Sequence, residues 1–427
     1  MSELSFIEKL LDGVEVEWKP LGQFGEFIRG NGLQKKDFIE TGFPAIHYGQ
    51  IYTKYGLQAD KTFTFVSEGL AKKLRKASRN DLLLATTSEN DEDVVKPLAW
   101  LGSAVAISGD MMLFRHEQNV KYLAHYFLTE EFQAQKRKYI SGAKVRRVSG
   151  GDLAKIIIPI PCPDNPKKSL KIQAEIVRIL DAFTTYTAEL TAELTAELNL
   201  RKQQYNHYRD QLLSFEDGEV EWKPLGWVGD VRMCKRIMKN QTKDSGDIPF
   251  FKIGTFGKEP NAYISKKIFE EYREKYSYPA IGEVLISASG TIGRAVIFDG
   301  ENAYFQDSNI VWIENNESKV LNKYLFYFYQ IANWSVSDGG VIKRLYNDNI
   351  RKTLIPVPFP DEPERSLEEQ ARIVAILDKF DALTNSISEG LPREIELRQQ
   401  QYEYYRDLLL SFPKSETGVS KELKEQA

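Results

Sequence analysis

Eight residues, Glu15–Gly22 (EVEWKPLG), recur unchanged at Glu219–Gly226, an offset of 204. A duplication fixes architecture before composition does, because each copy must bury the same faces. Three more blocks repeat at an offset of 197. Ile158–Asp164 (IPIPCPD) returns as Ile355–Asp361 (IPVPFPD), 173–183 (QAEIVRILDAF) as 370–380 (QARIVAILDKF), and 201–215 (RKQQYNHYRDQLLSF) as 398–412 (RQQQYEYYRDLLLSF). Between these blocks, 23–157 and 227–354 share little visible similarity. The chain therefore divides into an N-terminal frame segment (1–22), module one (23–157), a central spacer (158–226), module two (227–354), a second spacer (355–412) and a flexible tail (413–427).

The spacers carry a helical pattern. Ile172, Ile176, Ile179, Phe183, Tyr186 and Leu190 step by three and four, the spacing of a coiled-coil seam. Leu194 and Leu198 extend it through three TAEL quartets, Thr187–Leu190, Thr191–Leu194 and Thr195–Leu198, built from strong helix formers. The second spacer keeps the seam at Ile373, Ile376, Phe380, Leu383, Ile387, Leu391 and Ile395, but Gly390 and Pro392 interrupt the ladder. Proline lacks an amide donor, so the spacing predicts a break there, with Pro392 early in a restarted helix. One helix leads from module one to module two and the other leads back, so if they pair, they pair antiparallel. The segment 6–22 resembles 208–226, which predicts that it docks beside the exit of the second helix.

Both modules read as short β-branched and aromatic runs cut by Gly, Pro and Asn. In each, a short aromatic helix comes next, over 121–132 and 322–334, and then a basic turn, 141–153 (SGAKVRRVSGGDL) or 338–350 (DGGVIKRLYNDNI). The shared order predicts an α+β chain with one mixed α/β fold used twice. The two copies are joined by two long helices in an antiparallel coiled coil with pseudo-two-fold symmetry.

The 427 residues are 42% hydrophobic and 28% charged, which suits two or three soluble domains. No apolar run approaches the ~20 residues of a membrane span, and the start lacks a secretory signal, so a cytoplasmic location is expected. Cys162 and Cys234 are the only cysteines, too few for a disulfide framework or a four-cysteine zinc site. The net charge of −4 argues against a uniformly basic coat, yet it resolves into +5 over 23–157, +3 over 227–354 and −12 elsewhere. Lys136, Arg137, Lys138, Lys144, Arg146, Arg147 and Lys155 oppose only Asp152 across twenty residues, a cluster able to neutralise several phosphates.

Lys343 and Arg344 stand on the matching turn of module two, and polar turns nearby suit base edges. The candidate DNA-facing residues of module one are Arg29, Lys35, Lys36, His47, Tyr48, Gln50, Tyr52, Lys54, Thr86, Thr87, Ser88, Asn90, Lys144, Arg146 and Arg147. Those of module two are Lys235, Lys239, Lys252, Thr255, Lys258, Ser287, Ser289, Thr291, Arg294, Gln306, Ser308, Asn309, Lys343 and Arg344. Candidate partner-docking residues on the helices are Tyr205, Tyr208, Arg209, Leu212, Tyr402, Tyr405, Arg406 and Leu409.

Catalytic signatures are missing. There is no phosphate-loop G-x-x-x-x-G-K-[ST], no G-x-G-x-x-G after a strand and no N-P-P-[FY] methyltransferase tetrad. Ser289–Arg294 imitates a phosphate cradle, but it lacks the lysine spacing and the long helix, and reads as a β-turn. Asp91-Glu92-Asp93 reads as a solvated loop, and His47, His116, His125 and His207 show no ligand spacing. No catalytic residue and no metal site is assigned.

Divergent modules alternating with near-identical helical segments resemble the specificity subunits of type I restriction–modification enzymes. The TAEL quartets, the R-x-Q-Q-Y stretches and the I-P-[IV]-P-x-P-D entries are similar to the IC subgroup. The resemblance implies that each module is a target recognition domain for one half of a bipartite, asymmetric DNA site. It also implies a coiled coil that sets the gap and docks two methyltransferase subunits, which methylate adenine, and through them ATP-dependent restriction subunits. This chain would bind no cofactor; its partners would use S-adenosylmethionine, ATP and Mg. Two other readings stay open: a coiled-coil scaffold whose modules bind proteins, and a self-sufficient DNA-modifying enzyme.

Overall fold

The repeated blocks pair with one another. In a computed structural model describing residues 11, 13–215, 220–336, 343–386 and 389–413, Val16–Pro20 runs antiparallel to Ile157–Pro161, with Trp18 opposite Pro159. Val220–Pro224 pairs Leu354–Pro358 in the same register, with Trp222 opposite Pro356. Proline cannot donate to a ladder, and a two-stranded ribbon tolerates the alternate prolines of I-P-[IV]-P because its outer edges need no donor. Each module is thus a long insertion between two frame strands that close on each other.

The chain forms two compact units, residues 1–193 with 395–427 and residues 194–394. In the first, a five-stranded sheet has the order Gly25–Arg29, Met111–His116, Leu82–Ala85, Lys96–Trp100, Gln58–Ala59. A four-stranded sheet holds Thr64–Val66, Phe43–Ile46, Val105–Ile107 and Lys76–Ala77, with its two middle strands parallel. The central run LLLA is buried throughout because both of its faces are covered. Leu82 and Leu84 pack with the helix Val120–Tyr126, and Leu83 and Ala85 with Ile46, Val105 and Ile107.

The second unit repeats this plan with fewer strands. Val231–Arg232, Ile310–Ile313, Val284–Ser287 and Ala295–Ile297 form one sheet, and Tyr263–Ile264, Ile248–Phe251 and Tyr304–Phe305 the other, again with a parallel pair. Val284 and Ile286 face the helix Asn322–Tyr329, while Leu285 faces Phe250 and Tyr304. The expectation of one α/β fold used twice is met in the order and pairing of the strands.

Three long helices complete the frame: α1 (Pro166–Leu212), α2 (Pro363–Asn385) and α3 (Gly390–Leu409). The expected break falls between α2 and α3, and Pro392 is the third residue of α3. Within the first unit, the Thr184 and Tyr402 hydroxyls lie 3.0 Å apart, and Phe183 stacks on Tyr405. The chain numbers of these contacts run in opposite directions on α1 and α3, as an antiparallel pair requires. In the second unit, Tyr208 of α1 stacks on Phe380 of α2. The seam differs from its expected use in one respect: Ile172 and Ile176 share the core of module one, together with Leu409 of α3, and Ile373 shares that of module two, together with Tyr205 of α1. Ile387 lies outside the described residues.

The segment expected to dock at the exit of the second helix does so where it is described. Trp18 Nε1 donates to the Pro413 carbonyl, and Leu409, Leu410 and Phe412 share the core of the first unit with Leu11 and Leu21. Residues 1–10 and 12, and the tail from 414, lie outside the described residues. Among the described residues no helix is long and apolar enough to cross a membrane.

Candidate nucleic-acid interface

In each module, the turn that leads from the parallel pair into the neighbouring sheet collects the polar residues. In module one this is Ser108–Asp110. The Ser108 hydroxyl accepts from Tyr48 N (3.0 Å), the Gly109 carbonyl from Arg29 Nε (2.9 Å) and the Asp110 carbonyl from the Thr86 hydroxyl (3.2 Å). The Thr87 hydroxyl reaches the Asp110 carboxylate at 3.4 Å.

In module two the turn is Gln306–Asn309, with Ser308 at a positive φ of 54°. Gln306 Oε1 accepts from Ile253 N (2.9 Å), the Asp307 carboxylate from Arg236 (2.8 Å), the Ser308 carbonyl from Arg344 (2.8 Å) and Asn309 Oδ1 from the Ser289 hydroxyl (2.8 Å).

The basic turn meets the polar turn in both modules. Arg146 and Arg147 pair antiparallel with Ser88 and Thr87, and Arg344 forms the equivalent bridge to Ser289. Residues more than fifty positions apart are thereby brought onto one edge. Arg146 Nε also lies 2.8 Å from Asp91 Oδ1, so the acidic loop read as solvated is an ion-pair partner.

Several candidates face inward. His47, Gln50, Thr86, Thr87, Ser287 and Ser289 are buried, and internal hydrogen bonds engage their polar groups. His47 caps the helix Tyr48–Thr53 by accepting from Gly49 N, and Gln50 accepts from His47 N. Burial, then Lys35, lowers the His47 pKa, with Asp110 acting the other way. The Tyr52 hydroxyl braces the Ala85 and Thr87 carbonyls, and burial raises its pKa. Ser287 donates to the Thr291 carbonyl and accepts from Arg294 N, closing the turn read as a β-turn. Asn90 exchanges hydrogen bonds with Asp93.

Other candidates are set apart from these edges by their contacts. Lys54 lies over the Phe63 ring and Lys235 over Tyr276. Lys252 and Thr255 form a local turn, and Arg294 donates to the Phe256 carbonyl. Arg29, Lys35, Lys36, Lys144, Arg147, Lys239, Lys258 and Lys343 are exposed.

The basic cluster of module one shrinks on folding. Lys136 is fully buried, donating to the Glu92 and Val94 carbonyls at 2.9 and 2.8 Å, and burial pulls its pKa to about 8. Arg137 pairs with Glu130, and Lys155 with Asp152. Lys138, Lys144 and Arg147 remain exposed, with no ionic partner among the described residues.

Of the helix candidates, Tyr205, Arg406 and Leu409 are buried in their own units. The Tyr205 hydroxyl donates to Gln330, and Arg406 pairs with Asp407. Arg209 lies over the Tyr205 ring, Leu212 is partly buried, and Tyr402 is held at Thr184. Tyr208 and Tyr405 keep an exposed face.

Sequence reasoning missed Ser108, Gly109, Asp110, Asp307 and Arg236. The signal available was position: S-G-D at 108–110 precedes its strand as Q-D-S-N at 306–309 precedes its own. Among the described residues, no group of three or more His, Cys, Asp or Glu side chains could hold a metal ion.

Two copies of one α/β module, each presenting a cationic polar edge from a shared helical frame, define a duplicated recognition subunit. The comparisons agree. The model of the type I restriction modification DNA specificity domain matches twice, over residues 13–200 and 218–397, and the chain belongs to that family. A Haemophilus influenzae protein named as a type I restriction enzyme specificity subunit, S.HindORF215P, is 46% identical over 96% of this chain and 98% of its own length. The Escherichia coli EcoR124I/EcoR124II specificity subunit is 38% identical over 98% and 99%. A structure solved in work on assembly and conformational transition of the type I system matches the fold with TM-score 0.56 at 16% identity, over 92% of this chain and 97% of that one. The chain is thus a specificity subunit, non-catalytic in its own right.

Proposed function

We propose that each module reads one half of a bipartite, asymmetric DNA target and that the helices set the separation of the halves. The observation that carries this reading is the edge built twice: a basic strand paired to a polar turn at Arg146–Ser88 and again at Arg344–Ser289. The two edges share backbone geometry but differ in side chains, as two readers of different sequences must. Exposed lysines and arginines would neutralise phosphates, and the partly buried groups would meet base edges. The frame helices, with Tyr208 and Tyr405 exposed, would dock two methyltransferase subunits that methylate adenine, and through them ATP-dependent restriction subunits. S-adenosylmethionine, ATP and Mg would belong to those partners, and the complex would work in the cytoplasm.

Co-expression with the methyltransferase partner, followed by mapping of methylated adenines, tests the reading. A split, non-palindromic motif with a fixed gap is expected. Methylation without sequence preference, or a palindromic motif, would overturn it.

A further inference from the structure

Arg146 is fixed differently from its neighbours on the basic ribbon. Its Nε lies 2.8 Å from the Asp91 carboxylate, and its Nη1 donates to the Gly142 carbonyl at 2.6 Å. Its side chain is 35% exposed. Lys144 and Arg147, by contrast, are exposed with no ionic partner among the described residues.

Both anchors of Arg146 are themselves held. Asp91 belongs to the loop whose Glu92 and Val94 carbonyls are clamped from inside by buried Lys136. Gly142 sits at φ +93°, where an added Cβ would lie 2.1 Å from the Val145 carbonyl, so the turn presenting its carbonyl requires glycine. With Nε beside a carboxylate and one Nη1 hydrogen on a carbonyl, the guanidinium keeps its second Nη1 hydrogen and the Nη2 hydrogens without a hydrogen-bond acceptor among the described residues. One hydrogen from each of Nη1 and Nη2 can run parallel and match the O6 and N7 acceptors of guanine in the major groove. Pre-orientation lowers the side-chain entropy lost on contact, an advantage for a group that must discriminate and of less use to one that only tracks phosphates.

We propose that Arg146 is the base-reading arginine of module one, buttressed by Asp91, and that it specifies a guanine in the first half-site, while Lys144 and Arg147 contact phosphate. This rests on the reading of the ribbon as a DNA edge, and the two can fail separately.

The test measures binding of the assembled methyltransferase complex to duplexes carrying each base at each half-site position, across a salt series. Arg146→Gln is expected to cut discrimination at one G·C pair of the first half-site by roughly 5- to 150-fold and to leave the second half-site untouched. Asp91→Asn, which keeps the arginine but loosens it, is expected to relax the same pair to a smaller degree. Lys144→Ala and Arg147→Ala are expected to weaken all sequences alike and to flatten the salt slope by about 0.9 each. If Arg146→Gln weakens all sequences alike, or relaxes a position other than guanine, the proposal is wrong while the DNA edge stands. If none of the four variants changes binding, the DNA edge itself is wrong.

Discussion

The hydroxyl of fully buried Tyr122 donates to the Pro159 carbonyl at 2.8 Å, joining the aromatic helix of module one to a frame strand. Module two repeats the bond from Tyr324 to Pro356 at 3.0 Å. Around each tyrosine the other joints are repeated too. Gln173 and Gln370 accept from the backbone N–H of Asn119 and Leu321, and Lys121 and Lys323 pair with Asp181 and Asp378. Divergent modules thus share one socket, whose frame half is duplicated outright and whose module half survives as K-Y-L at 121–123 and 323–325.

Removing the phenol should leave a buried carbonyl without its donor. Tyr122→Phe and Tyr324→Phe are each expected to cost about 1–3 kcal/mol. Urea titration should show a lower midpoint for both, with the slope unchanged. An unshifted midpoint in both variants would show that the bond contributes nothing to holding the module.

Acid should loosen module one through His116. Burial lowers its pKa to about 4 from 6.5, against the opposing pull of Asp81, and Nδ1 accepts a hydrogen bond from Gln118 N, which requires that nitrogen unprotonated. Between pH 6.5 and 4 the unfolded chain binds a proton at this group that the folded chain refuses, so stability falls as pH falls. The loss is on the order of 3 kcal/mol by pH 4. His116→Asn should show a shallower acid limb than the wild type when unfolding is monitored across that window; parallel profiles would exclude His116 as its source.

Gly30 gives the turn at Ser108–Asp110 its room. A Cβ there would lie 2.1 Å from the Ser108 carbonyl and 2.9 Å from that of Ile107. Gly30→Ala must displace the turn that holds Arg29, Thr86 and Thr87, at a cost of about 1–3 kcal/mol by analogy with overpacked cores. Footprinting of the methyltransferase complex should show protection weakened over the first half-site and retained over the second. Equal loss over both halves would mean that the turn does not serve module one alone.

The frame was legible because duplication doubles its signal: two copies of EVEWKPLG and of I-P-[IV]-P are hard to misplace, and they turned out to be each other's partners. The sites were legible only as composition. Thr86 and Thr87 come after a strand buried on both faces, and nothing local tells that their hydroxyls turn to Asp110, which lies more than twenty residues further along the chain. Lys136 looked like part of a cationic surface, because a charge run does not announce which of its members meets carbonyls inside. Asp91 looked solvated because its partner, Arg146, is brought to it by a ribbon pairing that neither segment encodes alone. Backbone periodicity fixes local structure, whereas the pairing of two irregular turns is decided by the whole module.

The TAEL ladder offers the sharpest test of the spacer. Thr187–Leu198 lies wholly within α1, so removing one quartet, Thr191–Leu194, takes out four helical residues without a break. That shortens the helix by about 6 Å and rotates its C-terminal part by about 40° relative to its start. One base pair of B-DNA is about 3.4 Å and about 35° of twist. The rotations agree well and the rises less so, and a reader must meet its groove at the right angle before distance matters. Rotation should therefore decide the outcome, and the deletion is expected to shorten the unread gap by one base pair while both half-site sequences stay the same. Methylated-adenine mapping in cells carrying the deletion reads this directly. An unchanged gap would mean that the helix does not set the separation, and a changed half-site would mean that the modules are not independent readers.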